Sequence, residues 1–141
     1  MSTDQARPRF AHGLRVRWSE ADPQGVVFNP NYLLYADVAV TEFLRHLGVL
    51  GAQVPDVMQT YVVEAKVSFR APARFDDELE IGVGVARIGR SSFELEADID
   101  RQGQRLAEVR LIYARAIEGK AEPLSPAFRS LLEPYLLGDA S

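Results

Sequence analysis

The stretch "SEADPQGVVFNPNYLLYADVAVTEFLRHLG", residues 19–48, decides the fold. Its second half is helical in pattern: Tyr32, Ala36, Ala39, Phe43 and Leu47 recur every three or four residues, and Leu33, Val40 and Leu44 run beside them. Two neighbouring apolar stripes make a helix apolar around much of its girth, the pattern of a buried one. Asn29 suits the N-cap, Pro30 the first helical position and Gly48 the stop. Residues 30–47 then span about 27 Å. The first half carries Asp22 in "DPQG", ahead of Val26, Val27 and Phe28. Asp-Pro-x-Gly is a turn signal, so a carboxylate stands at the mouth of the buried helix.

Strand patterns flank this segment. Upstream, "GLRVRWSE" (13–20) alternates Leu14, Val16 and Trp18 with polar residues and reads as a strand. Downstream, residues 60–71 alternate Val63, Ala65, Val67 and Phe69 with Glu64, Lys66, Ser68 and Arg70. "ELEIGVGVARI" (78–88), "SSFELEADID" (91–100) and "RLAEVRLIYARAI" (105–117) repeat the alternation, joined by the short turns "GR" and "RQGQ". Such connections make an antiparallel meander. Ser125-Pro126 reads as the cap of a short helix carrying Phe128, Leu131 and Leu132, stopped near Pro134. The expected fold class is therefore α+β, an antiparallel sheet wrapped around one long buried helix. Gly82 and Gly84 would admit close approach or a bend in the third strand. The uncovered sheet edges argue for self-association, as a homodimer or homotetramer.

Composition bounds the function. A chain of 141 residues holds one domain, with tails at about 1–10 and 136–141. No cysteine means no disulfide framework, thiol nucleophile or cysteine-ligated zinc. The net charge of −4, with scattered arginines, gives no basic face for nucleic acid. No signal-peptide run and no stretch near the roughly 20 apolar residues of a membrane span stand out, so a cytoplasmic soluble protein is the expectation. His12 falls in the N-terminal tail and His46 in the last helical turn, which gives neither a triad nor a metal cluster. No metal or redox cofactor is expected.

The run "VRWSEADPQGVVFNPNYLLYADVAVTEFLRHLG" resembles the 4-hydroxybenzoyl-CoA thioesterase family of hotdog-fold proteins. Asp22, Pro23 and Gly25, the apolar triplet, Asn-Pro-Asn-Tyr and the ending "TEFLRHLG" carry the resemblance. "EAKVSFRAPARFDDELEI" and "RIGRSSFELE" are similar to later strands of the family, and the likeness covers about residues 13–117. It implies a hotdog fold with paired subunits joining their sheets, and hydrolysis of acyl-CoA thioesters. It implies Asp22 as the catalytic carboxylate and the backbone N–H of Asn29 as the group that polarises the thioester carbonyl. Gly25, Val26 and Tyr32, in the same motif, are the expected substrate contacts, with core packing the plainer reading of Tyr32.

Thioester chemistry independently fits so small a site. The leaving thiolate, with a conjugate-acid pKa near about 8.5 by analogy with cysteine, needs little acid assistance. A carboxylate can attack the carbonyl or activate water, and free N–H groups at a helix start suit the oxyanion. The plainer reading of Asp22 is an ordinary turn opener. Glu20, two residues earlier, reads as a solvated acid. Arg90 and Ser91 are the candidates for gripping the phosphates of CoA, which guanidinium geometry suits, against a plain alternative of solvated hairpin charge. Two other functions compete: a noncatalytic acyl-CoA or aromatic-ligand binding module, and a hotdog dehydratase, which typically relies on a histidine that the Asp22 motif lacks.

Overall fold

The computed structural model describes residues 9–138. The elements are β1 (Phe10–Arg15), α1 (Pro30–Leu47), β2 (Thr60–Phe69), β3 (Glu78–Ile88), β4 (Ser92–Arg101), β5 (Gln104–Ile117), a two-residue β6 (Lys120–Ala121) and α2 (Pro126–Leu132). The strands pair antiparallel in the order β1-β3-β4-β5-β2, with β6 added to β5. The β3-β4-β5 meander lies at the centre and β1 and β2 form the edges.

One face of the sheet carries the core. Ile81, Val83 and Val85 of β3, Leu95, Ala97 and Ile99 of β4, and Val109, Leu111 and Tyr113 of β5 are buried with Tyr32, Ala36, Ala39, Val40 and Phe43 of α1. Each large side chain buried there contributes about 1.5–3 kcal/mol relative to exposure. The opposite face is charged, with Arg9, Glu96 and Asp98 paired, and Arg110 bridging Glu94 and Glu96.

α1 has 18 residues and is not apolar-covered on all sides. Leu33, Leu34 and Val38 remain exposed, Leu34 at 46%. The sheet meets α1 through β1, β3, β4 and β5 and leaves this stripe open. At its C-terminus Gly48 adopts φ 77° and donates its N–H to the carbonyls of Leu44 and Arg45, a left-handed stop that glycine adopts without a Cβ penalty. Asn29 does not cap with its side chain: its backbone is already helical, so the extended geometry that side-chain capping needs is missing.

Three local readings are corrected. The first strand ends at Arg15, and Trp18–Glu20 form one 3-10 turn. The Glu20 carboxylate accepts the Arg17 N–H at 2.9 Å, which closes a local turn that strand alternation does not encode. Trp18 is consequently 77% exposed, its ring edge-on to Phe75. In β2 a bulge between Val62 and Glu64 shifts the register, so Val62 pairs with Tyr113 and Ala65 with Leu111, while Val63 stands off the ladder. A one-residue shift exchanges the faces of a strand.

Both ends expected to be tails include ordered residues, and His12, read as part of the N-terminal tail, lies within β1 opposite Ile81. Arg9 pairs with Asp98 at 3.0 Å, and Leu137 is buried with its N–H on the Val85 carbonyl at 2.9 Å. Gly84 makes room for it: a Cβ there would stand 2.5 Å from Leu137 Cδ2. Residues 1–8 and 139–141 lie outside the described residues.

Candidate active site

The segment between β1 and α1 folds back on itself as a small hairpin. The Phe28 N–H donates to the Glu20 carbonyl at 3.0 Å, and the Asp22 N–H to the Val26 carbonyl at 2.8 Å, with a bridge between Ala21 and Val27. Gly25 closes the tip at φ 81°, where residues with a side chain are strained. The hairpin is docked onto the β2–β3 loop: Val27 N–H reaches the Ala73 carbonyl at 2.8 Å, and Phe75 N–H reaches the Gly25 carbonyl at 3.0 Å.

Asp22 stands at this tip. Its Oδ1 accepts the N–H of Gln24 at 2.8 Å and of Val26 at 3.3 Å. That is the ordinary work of an aspartate in a turn. Its Oδ2 has no hydrogen bond or ion pair among the described residues. The carboxylate is thus held through one oxygen and free at the other.

The entrance of α1 follows at the hairpin's base. The Asn29 carbonyl accepts from Tyr32 N–H at 3.2 Å, and the Phe28 carbonyl accepts from Asn31 N–H at 2.9 Å. The Asn29 N–H has no partner among the described residues, and Pro30 has none to offer, so the positive end of the helix is open here. The rungs holding Asp22 and Phe28 are two residues apart along the hairpin, about 7 Å at strand spacing. Acid and helix mouth therefore lie on one short continuous segment.

Glu20 is where the sequence reading fails. It is 7% exposed, and its Oε1 accepts from the Tyr35 hydroxyl at 2.8 Å. Its Oε2 accepts from Arg17 Nε at 2.8 Å. Burial pushes this carboxyl up, but the hydrogen bonds from Arg17 and Tyr35 and the charge of Arg17 outweigh it and hold Glu20 below its ordinary range. Burial pushes the Tyr35 phenol up, and the bond and charge of Glu20 push it further. No periodic signal links residues 20 and 35, since the pairing crosses from turn to helix.

Two clefts open beside the α1 entrance. One of about 380 Å³ is lined by Val26, Val27, Asn29, Tyr32, Phe69, Arg70, Ala71 and Pro72. Tyr32 is part of the core too, its hydroxyl accepting the Ala73 N–H at 2.9 Å. The other, about 340 Å³, runs between α1 and β2 past Pro30, Leu33, Leu34, Asp37, Val62, Ala65, Leu111 and Tyr113. Burial raises the Tyr113 phenol above its usual range, and the charge of Asp37 raises it further. A larger depression of about 550 Å³ on the opposite face is lined by acids and arginines that largely pair with one another.

Val26, Asn29 and Tyr32 thus line one cleft, and Asp22 and Gly25 stand at the tip of the hairpin that leads into it. Arg90 and Ser91 do not join them within this chain. Their carbonyls accept from Leu124 N–H and Arg115 N–H, at the end of β5 remote from Ala107, which pairs with Phe69 near the hairpin. From Ala107 to Arg115 is about 26 Å of strand. His46 lies with Tyr135, Nε2 to the hydroxyl oxygen at 3.2 Å. Among the described residues no cluster of three or more His, Asp or Glu could hold a metal, and no helix is long and apolar enough to cross a membrane.

The family model of the thioesterase superfamily matches residues 24–108. The chain belongs to the thioesterase superfamily. Membership makes it a thioester hydrolase and accounts for its hotdog architecture. The acyl-CoA thioester hydrolase YbgC of Escherichia coli O6:H1 is 35% identical over 88 residues, 59% of this chain and 63% of that one. Among solved structures, a gentisyl-coenzyme A thioesterase is 27% identical with a TM-score of 0.76, over 88% of this chain and 99% of its own. A predicted thioesterase from Bacillus stearothermophilus, 18% identical, superposes with a TM-score of 0.83 over 94% of this chain and 100% of its own, a likeness of fold.

Proposed function

We propose that this thioester hydrolase acts on acyl-CoA, with Asp22 as the carboxylate that attacks the thioester carbonyl or activates the attacking water. The observation that carries the reading is the pairing of a fixed carboxylate, free at Oδ2, with a helix entrance whose Asn29 N–H is free among the described residues. As the carbonyl carbon becomes tetrahedral, negative charge grows on its oxygen. An N–H left without a partner at a helix start can stabilise that charge without reorganising. The thiolate then leaves with little need of an acid. The same reading assigns the chain to the 4-hydroxybenzoyl-CoA thioesterase family and to the cytoplasm.

Val26 and Tyr32 border the acyl end, with Gly25 at the adjoining hairpin tip, and the apolar groove past Leu33, Leu34, Val62, Ala65 and Leu111 takes the acyl group. The nucleotide end belongs to Arg90 and Ser91. Supplied by the same copy, they are too far from Asp22. Two copies joined antiparallel along the free edge of β2 would bring the Arg90 turn of one to the Asp22 end of the other. Exposed Tyr61, Val62 and Val63 on β2, and Leu33, Leu34 and Val38 on α1, supply apolar surface for such a pairing, which would leave the acyl groove at the seam between the two copies. A homodimer, or a homotetramer built from it, is the form in which the site is complete.

The test is a panel of acyl-CoA substrates assayed with a thiol reagent. Release of CoA thiol with saturation kinetics is expected. Binding of the same compounds without thiol release refutes the hydrolase reading in favour of a binding module.

A further inference from the structure

Glu20 is a buried carboxylate with no part in the chemistry above. Taking a charged group out of water is costly unless it is fully paired, so a surface turn would be made more cheaply by a solvated residue. Besides the bonds that close the turn onto Arg17, it makes bonds that reach beyond the turn. The side chain holds the Tyr35 hydroxyl at 2.8 Å, on the second turn of α1. The main-chain carbonyl accepts Asn31 Nδ2 at 3.0 Å, on the first turn, and the Phe28 N–H at 3.0 Å, across the hairpin. One residue therefore ties the strand that carries Asp22 to the helix that follows Asn29. Asp22 itself takes no part in these bonds.

We propose that Glu20 and Tyr35 are positioning residues, which fix the Asp22 hairpin against α1 so that the carboxylate and the Asn29 N–H address the same carbonyl; this rests on the roles given above to Asp22 and Asn29. Attack and oxyanion stabilisation have to converge on adjacent atoms, and a misplacement of about 1 Å can cost about a hundredfold in rate. The main-chain rungs of a small hairpin set its own shape but not its angle to a neighbouring helix. The Tyr35–Glu20 and Asn31–Glu20 bonds tie the hairpin directly to α1, in addition to its bonds to the β2–β3 loop. Arg17 completes the pairing from the near side, its guanidinium Nη2 at 2.7 Å from Oε2, and allows the carboxylate to remain charged while buried.

The experiment is Tyr35→Phe, which removes one hydroxyl and leaves the ring in the core, made in the parent and in an Asp22→Asn background. In the parent, kcat for acyl-CoA should fall about tenfold with KM within about twofold, the signature of a group that acts on the transition state rather than on binding. In the Asp22→Asn background the same change should cost no further activity, because there is no carboxylate left to aim. Asn31→Ala cuts the second tie without touching the core, should show the same split, and serves if Tyr35→Phe fails to fold. Parental kcat in folded Tyr35→Phe, or an equal loss in both backgrounds, overturns the positioning role. A fully active Asp22→Asn enzyme is a different result: it removes the assigned chemistry, and this proposal with it.

Discussion

Replacing Asp22 by Asn isolates the carboxylate from the turn. In the structure Oδ1 accepts the N–H groups of Gln24 and Val26, and an amide oxygen can keep both bonds. The rungs from Asp22 N–H to Val26 and from Gly25 N–H to the Asp22 carbonyl are main-chain and unaffected. Stability should change by about 1 kcal/mol or less, as for a change outside the buried networks. The amide cannot act as base or nucleophile. Turnover should fall by at least about a hundredfold, the low end of what such groups contribute, equivalent to about 2.7 kcal/mol of transition-state stabilisation. Binding should persist, because the helix entrance and the clefts are intact. The assay is steady-state release of CoA thiol by protein shown to be folded by circular dichroism, alongside direct binding of a nonhydrolysable acyl-CoA analogue. A folded mutant keeping more than a tenth of the parental kcat would falsify the assignment, leaving Asp22 a turn residue only.

Three further outcomes are expected. Arg90→Ala should raise KM for acyl-CoA with kcat little changed, since a contact to the distant nucleotide contributes uniform binding; unchanged kinetics removes Arg90 from the site. Sedimentation at micromolar concentration should show a dimer or tetramer, and mixing Asp22→Asn with Arg90→Ala protein should recover activity above either alone in subsaturating substrate; a lone 15.7 kDa species is the refuting result. Acid should weaken the fold partly through Glu20, whose carboxyl sits below its ordinary value of 4.5. A depressed carboxyl contributes stability that is present above that value and is lost as pH falls through the folded one. The charged group facing it is Arg17, with the Tyr35 hydroxyl beside it. Urea melts between pH 5 and pH 3 should therefore slope less in Glu20→Gln than in the parent, and equal slopes would remove Glu20 from the acid response. Glu108, also lowered, and Asp98, raised by burial and so acting in the opposite direction, are common to both proteins.

The elements were legible where one period governs a long segment. α1 and β3 follow from alternation or helical recurrence over 18 and 11 residues, and both occupy the expected positions. Trp18–Glu20 was not legible, because main-chain bonds from Glu20 and Ala21 and the Glu20 carboxylate's bonds to Arg17 close a turn that overrides the alternation. The bulge at Val63 was hidden for the opposite reason: "YVV" is apolar at every position, so no polar residue marks which valine leaves the ladder. At the candidate site, the motif around Asp22 and Asn29 is a local feature and the chain keeps it together. The Glu20–Tyr35 bond spans fifteen positions between elements of different period, and nothing in the sequence distinguishes that acid from a solvated one.

The open stripe on α1 separates two levels of organisation that a sequence encodes together. Leu33 belongs to the apolar pattern that reads as buried, yet it is exposed in one copy, as are Leu34 and Val38. The sheet has no further strand to lay over them, because β2 ends it with Tyr61, Val62 and Val63 bare. An exposed apolar edge next to an exposed apolar helix face is a hazard that proteins usually cover. In the proposed dimer a second copy paired along β2 would cover both at once, and would carry the Arg90 turn to the Asp22 end of the sheet. The apolar periodicity and the distance between Asp22 and Arg90 are independent observations, one about packing and one about chemistry. The proposed arrangement of two chains would account for both, which makes the mixed-mutant recovery a test of the fold's completion as well as of the site.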